Sequence, residues 1–121
     1  MKTVLTVDDE PAVLRVIKLE LQSEGYTVLL AADGQAAIEI IQKNKLLAVL
    51  LDLHLQGPDG FVVLSQIKKG YPDLPVIMVT GSHDEAEARR AFDLGAWDYV
   101  TKPIDFNYLK NILRLSLPDG T

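Results

Sequence analysis

Two hydrophobic rhythms alternate along the chain. Short apolar runs fall at Thr3–Val7, Tyr26–Ala31, Ala48–Asp52, Pro75–Thr80 and Trp97–Thr101. Several lack polar alternation altogether, Ala48-Val49-Leu50-Leu51 most plainly. A half-exposed strand alternates apolar with polar, whereas an unbroken run fits a strand covered on both faces, as in a parallel sheet. Between the runs the apolar spacing changes to three and four. Pro11–Ser23 carries Leu14, Ile17 and Leu21, and Asp33–Asn44 carries Ala37, Ile40 and Ile41. Asp59–Lys69 carries Leu64 and Ile67, Asp84–Leu94 carries Ala88, Ala91 and Phe92, and Phe106–Leu117 carries Leu109, Ile112 and Leu113. These spacings predict five helices. Pro11 suits a first helical turn, and Gly25, Gly70 and Gly95 stand where helices stop. Asp59 reads as a helix N-cap.

Strand and helix therefore alternate five times, a (βα)5 order. Right-handed crossovers turn that order into an α/β fold, an open, doubly wound parallel sheet with helices on both faces. Ligands of such sheets bind beyond the carboxyl ends of the strands. The residues that follow each strand are the ones to inspect for chemistry.

Composition narrows the choices. A chain of 121 residues fits one domain and can bury roughly two thirds of its unfolded surface. With 48% apolar and 24% charged residues it reads as soluble and globular. Cysteine is absent, which removes disulfides, thiolate metal sites and thiol nucleophiles. The net charge of -5 argues against direct nucleic-acid binding and against anionic membrane surfaces. No apolar stretch approaches the ~20 residues of a membrane span, and MKTVLTVDDE has no signal-peptide core. A cytoplasmic location is expected.

The predicted carboxyl edge collects unusual chemistry. Asp8 and Asp9 follow the first strand, Asp52 ends the third, Thr80 ends the fourth ahead of Ser82, and Lys102-Pro103 follows the fifth. Adjacent carboxylates repel and cost desolvation when buried, so either these acids are solvated loop residues or something positive sits among them. Mg²⁺ takes oxygen ligands and keeps several waters, which suits one or two carboxylates, a carbonyl and water. A phosphoryl group could then rest against the metal, the Lys102 ammonium and the Thr80 hydroxyl, an arrangement in which positioning and charge compensation do the catalytic work. A carboxylate can itself attack phosphorus, and Asp52, at the end of the central buried strand, is the best-placed nucleophile. Glu10, just before Pro11, reads as a first-turn acid favoured by the helix dipole.

Taken together, VDDE, LLDLHLQGPDG, VIMVTGS and GAWDYVTKP resemble the receiver domain of two-component response regulators. The resemblance runs over residues 2–117, and its weight lies in several weak motifs occurring in order at strand ends. It implies a flavodoxin-like sheet of order 2-1-3-4-5 and a single receiver domain over 1–121, with 117–121 as a tail or the start of a linker. It implies Asp52 as phosphoacceptor, Mg²⁺ held by Asp9, Asp52 and the His54 carbonyl, and Asp8 acting through metal-bound water. Lys102 would pair with the phosphoryl group, Thr80 would swing to it, and Tyr99 would follow Thr80 inward. His54 and Ser82 stand two residues after Asp52 and Thr80, where the family's side chains flank the water's path to phosphorus, so both are expected to tune dephosphorylation.

The donor implied is the phosphohistidine of a histidine kinase or phosphotransfer domain. The output face implied is the fourth helix, fifth strand and fifth helix, acting on an output domain in cis, a target protein or a second copy. Such a chain is a switch that catalyses only its own phosphorylation and dephosphorylation, not an enzyme acting on other substrates. One departure concerns the loop after Asp52. Gln56 stands where the family usually has proline, and Pro58 follows instead, so a different loop shape is expected.

Two other functions use the same residues. A phosphatase of the haloacid-dehalogenase kind also needs an Asp nucleophile, Mg²⁺, a hydroxyl and a lysine, but its Asp-x-Asp signature is missing here because His54 stands two after Asp52. A degenerate receiver would dock without phosphate, yet all five core residues are present. Simpler readings hold for other positions. His83 is a loop residue, Arg89-Arg90 a solvated helix face, and Trp97 either a contact residue or an edge packer.

Overall fold

A computed structural model describes residues 2–117; the tail beyond Leu117 lies outside the described residues. The strands are β1 Thr3–Val7, β2 Thr27–Ala31, β3 Ala48–Leu51, β4 Val76–Thr80 and β5 Asp98–Thr101. The helices are α1 Pro11–Gln22, α2 Gly34–Lys43, α3 Gly60–Gly70, α4 Glu85–Asp93 and α5 Phe106–Ser116. All strands pair in parallel in the order β2-β1-β3-β4-β5.

The expected elements are all present, and their ends differ by single residues for local reasons. Tyr26 precedes β2 because its amide closes the α1 turn on the Leu21 carbonyl. Pro75 has no amide to pair, and only its carbonyl serves the sheet, accepting from Val49 at 2.9 Å. Asp33, Asp59, Asp84 and Asp105 stand outside their helices as N-caps, each accepting hydrogen bonds from first-turn amides. Gly70 does not stand beyond α3 but is its last residue, and Tyr71 is the C-cap.

The strand side chains divide by parity into two cores. Val4, Ala48, Leu50, Ile77, Val79 and Val100 pack with Ile17 and Leu21 of α1 and Leu109, Ile112 and Leu113 of α5. Leu5, Val7, Val49, Leu51, Val76 and Met78 pack with α2, α3 and Ala91 of α4. β3 is buried over its whole length and β4 likewise. This accounts for their unbroken apolar runs, since a parallel strand here has no solvent face.

One close approach shapes the loop after β3. A side chain at Gly60 would bring its Cβ within 2.3 Å of the Asp52 carbonyl oxygen and 2.5 Å of the Leu53 Cα. The absence of a side chain lets the Gly60 amide donate to Leu53 O at 2.7 Å. The loop between them turns at Gly57, where φ is +76°, with Gln56 and Pro58 exposed.

Candidate functional site

The site sits at the carboxyl ends of β1, β3, β4 and β5. Asp8 and Asp52 continue two adjacent central strands and are almost fully buried, at 1% and 4% exposure. Backbone ladder bonds carry on past both strands. The Asp8 amide donates to Ala31 O at 3.1 Å, and the Asp52 amide to Val7 O at 3.0 Å. Each carboxylate is therefore held by main chain and not by a mobile loop. Asp8, Asp9, Glu10 and Asp52 each present a carboxylate oxygen, and these oxygens lie within 4.8 Å of one another.

Lys102 crosses from the end of β5 to compensate them. Its Nζ donates to Asp8 Oδ2 at 2.8 Å, Glu10 Oε1 at 3.3 Å and Asp52 Oδ2 at 3.4 Å. Burial alone pulls the Lys102 ammonium down, but the Asp8 hydrogen bond and the Asp52 and Asp8 charges outweigh it, and its pKa is raised. Burial pushes Asp8 up, and the Asp52 charge adds to that. The Lys102 and Glu10-amide hydrogen bonds pull it down without winning. Four carboxylates against one ammonium leave the cluster short of positive charge. An all-oxygen donor set of this size fits a hard divalent cation such as Mg²⁺.

Thr80, wholly buried, ends β4 and accepts through Oγ1 from the Ser82 amide at 3.3 Å. Tyr99 lies one strand away, half-buried, and its hydroxyl donates to Ser82 O at 3.1 Å. Burial raises its phenol pKa. His54 is exposed, and its backbone amide donates to Asp52 Oδ1 at 3.3 Å. The structure thus brings Asp8, Asp9, Asp52 and Lys102 into one cluster and sets Thr80, Ser82, His54 and Tyr99 around it.

Two residues behave otherwise than the sequence suggests. Glu10 occupies the N-cap position of α1 but makes no side-chain cap bond; its carboxylate turns to Lys102 instead. Phe92, expected on the inner face of α4, is 46% exposed, and Ala91 is the residue that α4 buries. Sequence reasoning also missed Glu87. Its Oε1 accepts from the Ser82 hydroxyl and lies 3.4 Å from His54 Nε2. The only available signal was its place one turn into a helix that begins beside the site.

Fold and rim together define an α/β module of the flavodoxin-like class, with its acids and a lysine gathered at the ends of the central strands. Comparison with known proteins makes the class specific. The response regulator receiver domain family matches residues 4–114, and the chain belongs to that family. An NtrX-like response regulator of Rickettsia felis is 38% identical over 113 residues, which are 92% of this chain and 24% of that protein. The chain thus spans about a quarter of that relative's length.

Among solved structures, the receiver domain of NtrX from Brucella abortus is 34% identical with a TM-score of 0.90, covering 94% of this chain and 97% of that one. The response regulator TrrA from Thermotoga maritima, in complex with Mg²⁺-BeF, is 32% identical with a TM-score of 0.89, covering 97% of this chain and 100% of that one. Receiver domains are phosphoacceptor signalling modules of two-component systems, switches and not enzymes in the ordinary sense. Among the described residues no helix is long and apolar enough to cross a membrane.

Proposed function

We propose that Asp52 is the phosphoacceptor of this receiver and that Mg²⁺, held by Asp9, Asp52 and the His54 carbonyl with Asp8 acting through bound water, neutralises the site for transfer. The observation that carries this reading is the Asp52 carboxylate itself. It is buried at the end of a central strand, 3.4 Å from Lys102 Nζ and grouped with the Asp8 and Asp9 oxygens. A buried acid so placed is oriented by backbone for in-line attack. A metal held there would supply charge neutralisation for the incoming phosphoryl oxygens. Lys102 already hydrogen-bonds Asp52 and is ready to transfer a donor bond to a phosphoryl oxygen.

Thr80 and Tyr99 form the switch. Among the described residues the Thr80 hydroxyl holds one hydrogen bond, at 3.3 Å from the Ser82 amide, and its own proton is available to a phosphoryl oxygen. The Tyr99 ring packs on the core beneath α4, with its hydroxyl on the carbonyl of the β4–α4 loop. Movement of Thr80 and its loop therefore reaches Tyr99 directly, and from it the face of α4, β5 and α5. Phe92 of α4, Tyr108 of α5 and Trp97, just before β5, stand exposed, and large aromatics of that kind favour a contact surface. That face is the one for an output domain, a target or a second copy. The donor is a phosphohistidine of a histidine kinase or phosphotransfer domain, and the setting is the cytoplasm.

Incubation with acetyl phosphate and Mg²⁺, read by intact mass, tests this. Wild type gains one hydroxylamine-labile phosphoryl group, and Asp52→Asn gains none. Label on D52N at the wild-type level would remove Asp52 from the role. Turnover of phosphomonoesters would favour the phosphatase reading.

A further inference from the structure

The mouth of the acceptor pocket is bridged by a residue that none of the site's motifs contains. On one side stands His54, whose amide donates to Asp52 Oδ1. On the other stands Ser82, whose amide donates to Thr80 Oγ1. Each flanking residue is thus anchored through its backbone to a group of the phosphorylation site. Their side chains meet on a single atom of a third residue. Glu87 Oε1 accepts from the Ser82 hydroxyl and lies 3.4 Å from His54 Nε2.

Glu87 is held for this task. Its amide and that of Ala86 donate to the Asp84 carboxylate, which caps α4. The Asp84 amide in turn donates to Ser82 Oγ at 3.3 Å. Cap, hydroxyl and carboxylate form one connected unit on the first turn of α4. Through His54 that unit reaches across to the loop that follows β3.

We propose that Glu87 is a positioning residue that clamps the β3–α3 loop to the β4–α4 loop across Asp52 and so lengthens the life of the phosphoryl group there. The inference rests on Asp52 being the acceptor. Hydrolysis requires water to reach phosphorus from the side opposite Asp52. The water oxygen forms a new P–O bond, the bond from phosphorus to the Asp52 oxygen breaks, and the products are the Asp52 carboxylate, hydrogen phosphate and a proton released to solvent. A bridge from His54 through Glu87 to Ser82 spans that approach. With it closed, water enters less often; with it cut, both side chains swing out to solvent.

The clamp also gives α4 a direct interest in the site. Any displacement of the first turn of α4 carries Glu87 with it and loosens His54. The position of the output helix and the lifetime of the phosphoryl group become coupled, so a partner that holds α4 in place prolongs the signal.

Two measurements on the whole chain decide the matter. The first is the first-order loss of phosphoryl after acetyl phosphate is removed. Glu87→Ala should speed it roughly 3-fold, the weight of a largely exposed charge pair, and His54→Ala should do the same. The double variant should add nothing, since the two act through one link. Glu87→Gln keeps an accepting oxygen and should retain the slow rate. An unchanged rate in E87A, multiplicative effects in the double variant, or E87Q as fast as E87A would each overturn the clamp.

The second is amide hydrogen exchange over residues 53–59 of the unphosphorylated protein, expected to be faster in E87A. Unchanged exchange would overturn the clamp whether or not Asp52 carries phosphate. Failure of the acceptor assignment shows separately, as label persisting in D52N or as no uptake by wild type.

Discussion

At the scale of single residues, Asp8 carries a cost that the resting protein does not recover. Its folded pKa lies above the ordinary 3.8, because burial and then the Asp52 charge outweigh its hydrogen bonds. Folding therefore favours the protonated form. The favourable contribution is complete below pH 3.8 and is lost as pH rises through the folded value. At neutral pH the ionised carboxylate is a net burden. Asp8→Asn should melt higher than wild type at pH 7 in metal-free buffer, and the gap should close as pH falls toward 3.8. Parallel urea titrations at several pH values check this, and equal stability at pH 7 would contradict it. Lys102 has the same sign with a different window: its raised pKa gives stability that is complete below pH 10.5 and is lost as pH rises from there through the folded value.

What the sequence discloses about the site follows from the same placement. Asp8, Asp9, Asp52, Thr80 and Lys102 were legible because each directly follows or ends an apolar run, and strand ends in a parallel sheet share one edge. Glu87 was not legible. Its position depends on the rotation of α4 about the axis set by Gly81–Asp84, and a helical repeat fixes which residues share a face without saying what the face meets. Glu10 was misread for a related reason. The rule for acids at helix starts is worth only ~0.3–1 kcal/mol, and a direct contact with a partly buried ammonium prevails over it.

At the scale of elements, α4 differs from its neighbours. It buries only Ala91, whereas α1, α2 and α5 bury three residues each and α3 buries five. Yet α4 is well made locally, with Asp84 capping two amides, Glu85 and Glu87 in its first turn and Arg90 in its last. Strong local structure with a weak grip on the core favours displacement of the helix as a unit over melting. Outside the core it is tethered by Glu87, which meets Ser82 and His54, and by Arg90, whose guanidinium lies 4.2 Å from the centre of the Phe61 ring on α3. Helix α4 should therefore be the least protected helix in hydrogen exchange, opening well below the global stability. Protection equal to that of α3 would contradict it. The poor inner face also explains Phe92. With mean hydropathy low along α4, three- and four-residue spacing did not say which of Ala91 and Phe92 would turn inward, and the small residue fits the close approach to β5.

At the scale of the whole molecule, the fold was the most legible feature, since unbroken apolar runs alternating with helical spacings implied a parallel sheet covered on both faces. The same organisation would make the proposed cation a global stabiliser. A divalent ion bound among carboxylates from β1 and β3 joins two strands and removes their repulsion, so it favours the native state by mass action. With Mg²⁺ at a hundredfold excess over its Kd, stability should rise by about 2.7 kcal/mol, seen as an upward shift in the thermal midpoint. D52N should show a much smaller shift, and an equal shift would mean that the ion binds elsewhere.

The separation of the two cores has one more consequence. Helices α1 and α5 share one layer, fastened further by Lys110 and Glu20 at 2.8 Å, while α4 leans on the other. A partner that meets only α1 would rest on a layer separate from the one α4 leans on, whereas one that spans α4 and α5 would straddle both layers and feel any slip between them.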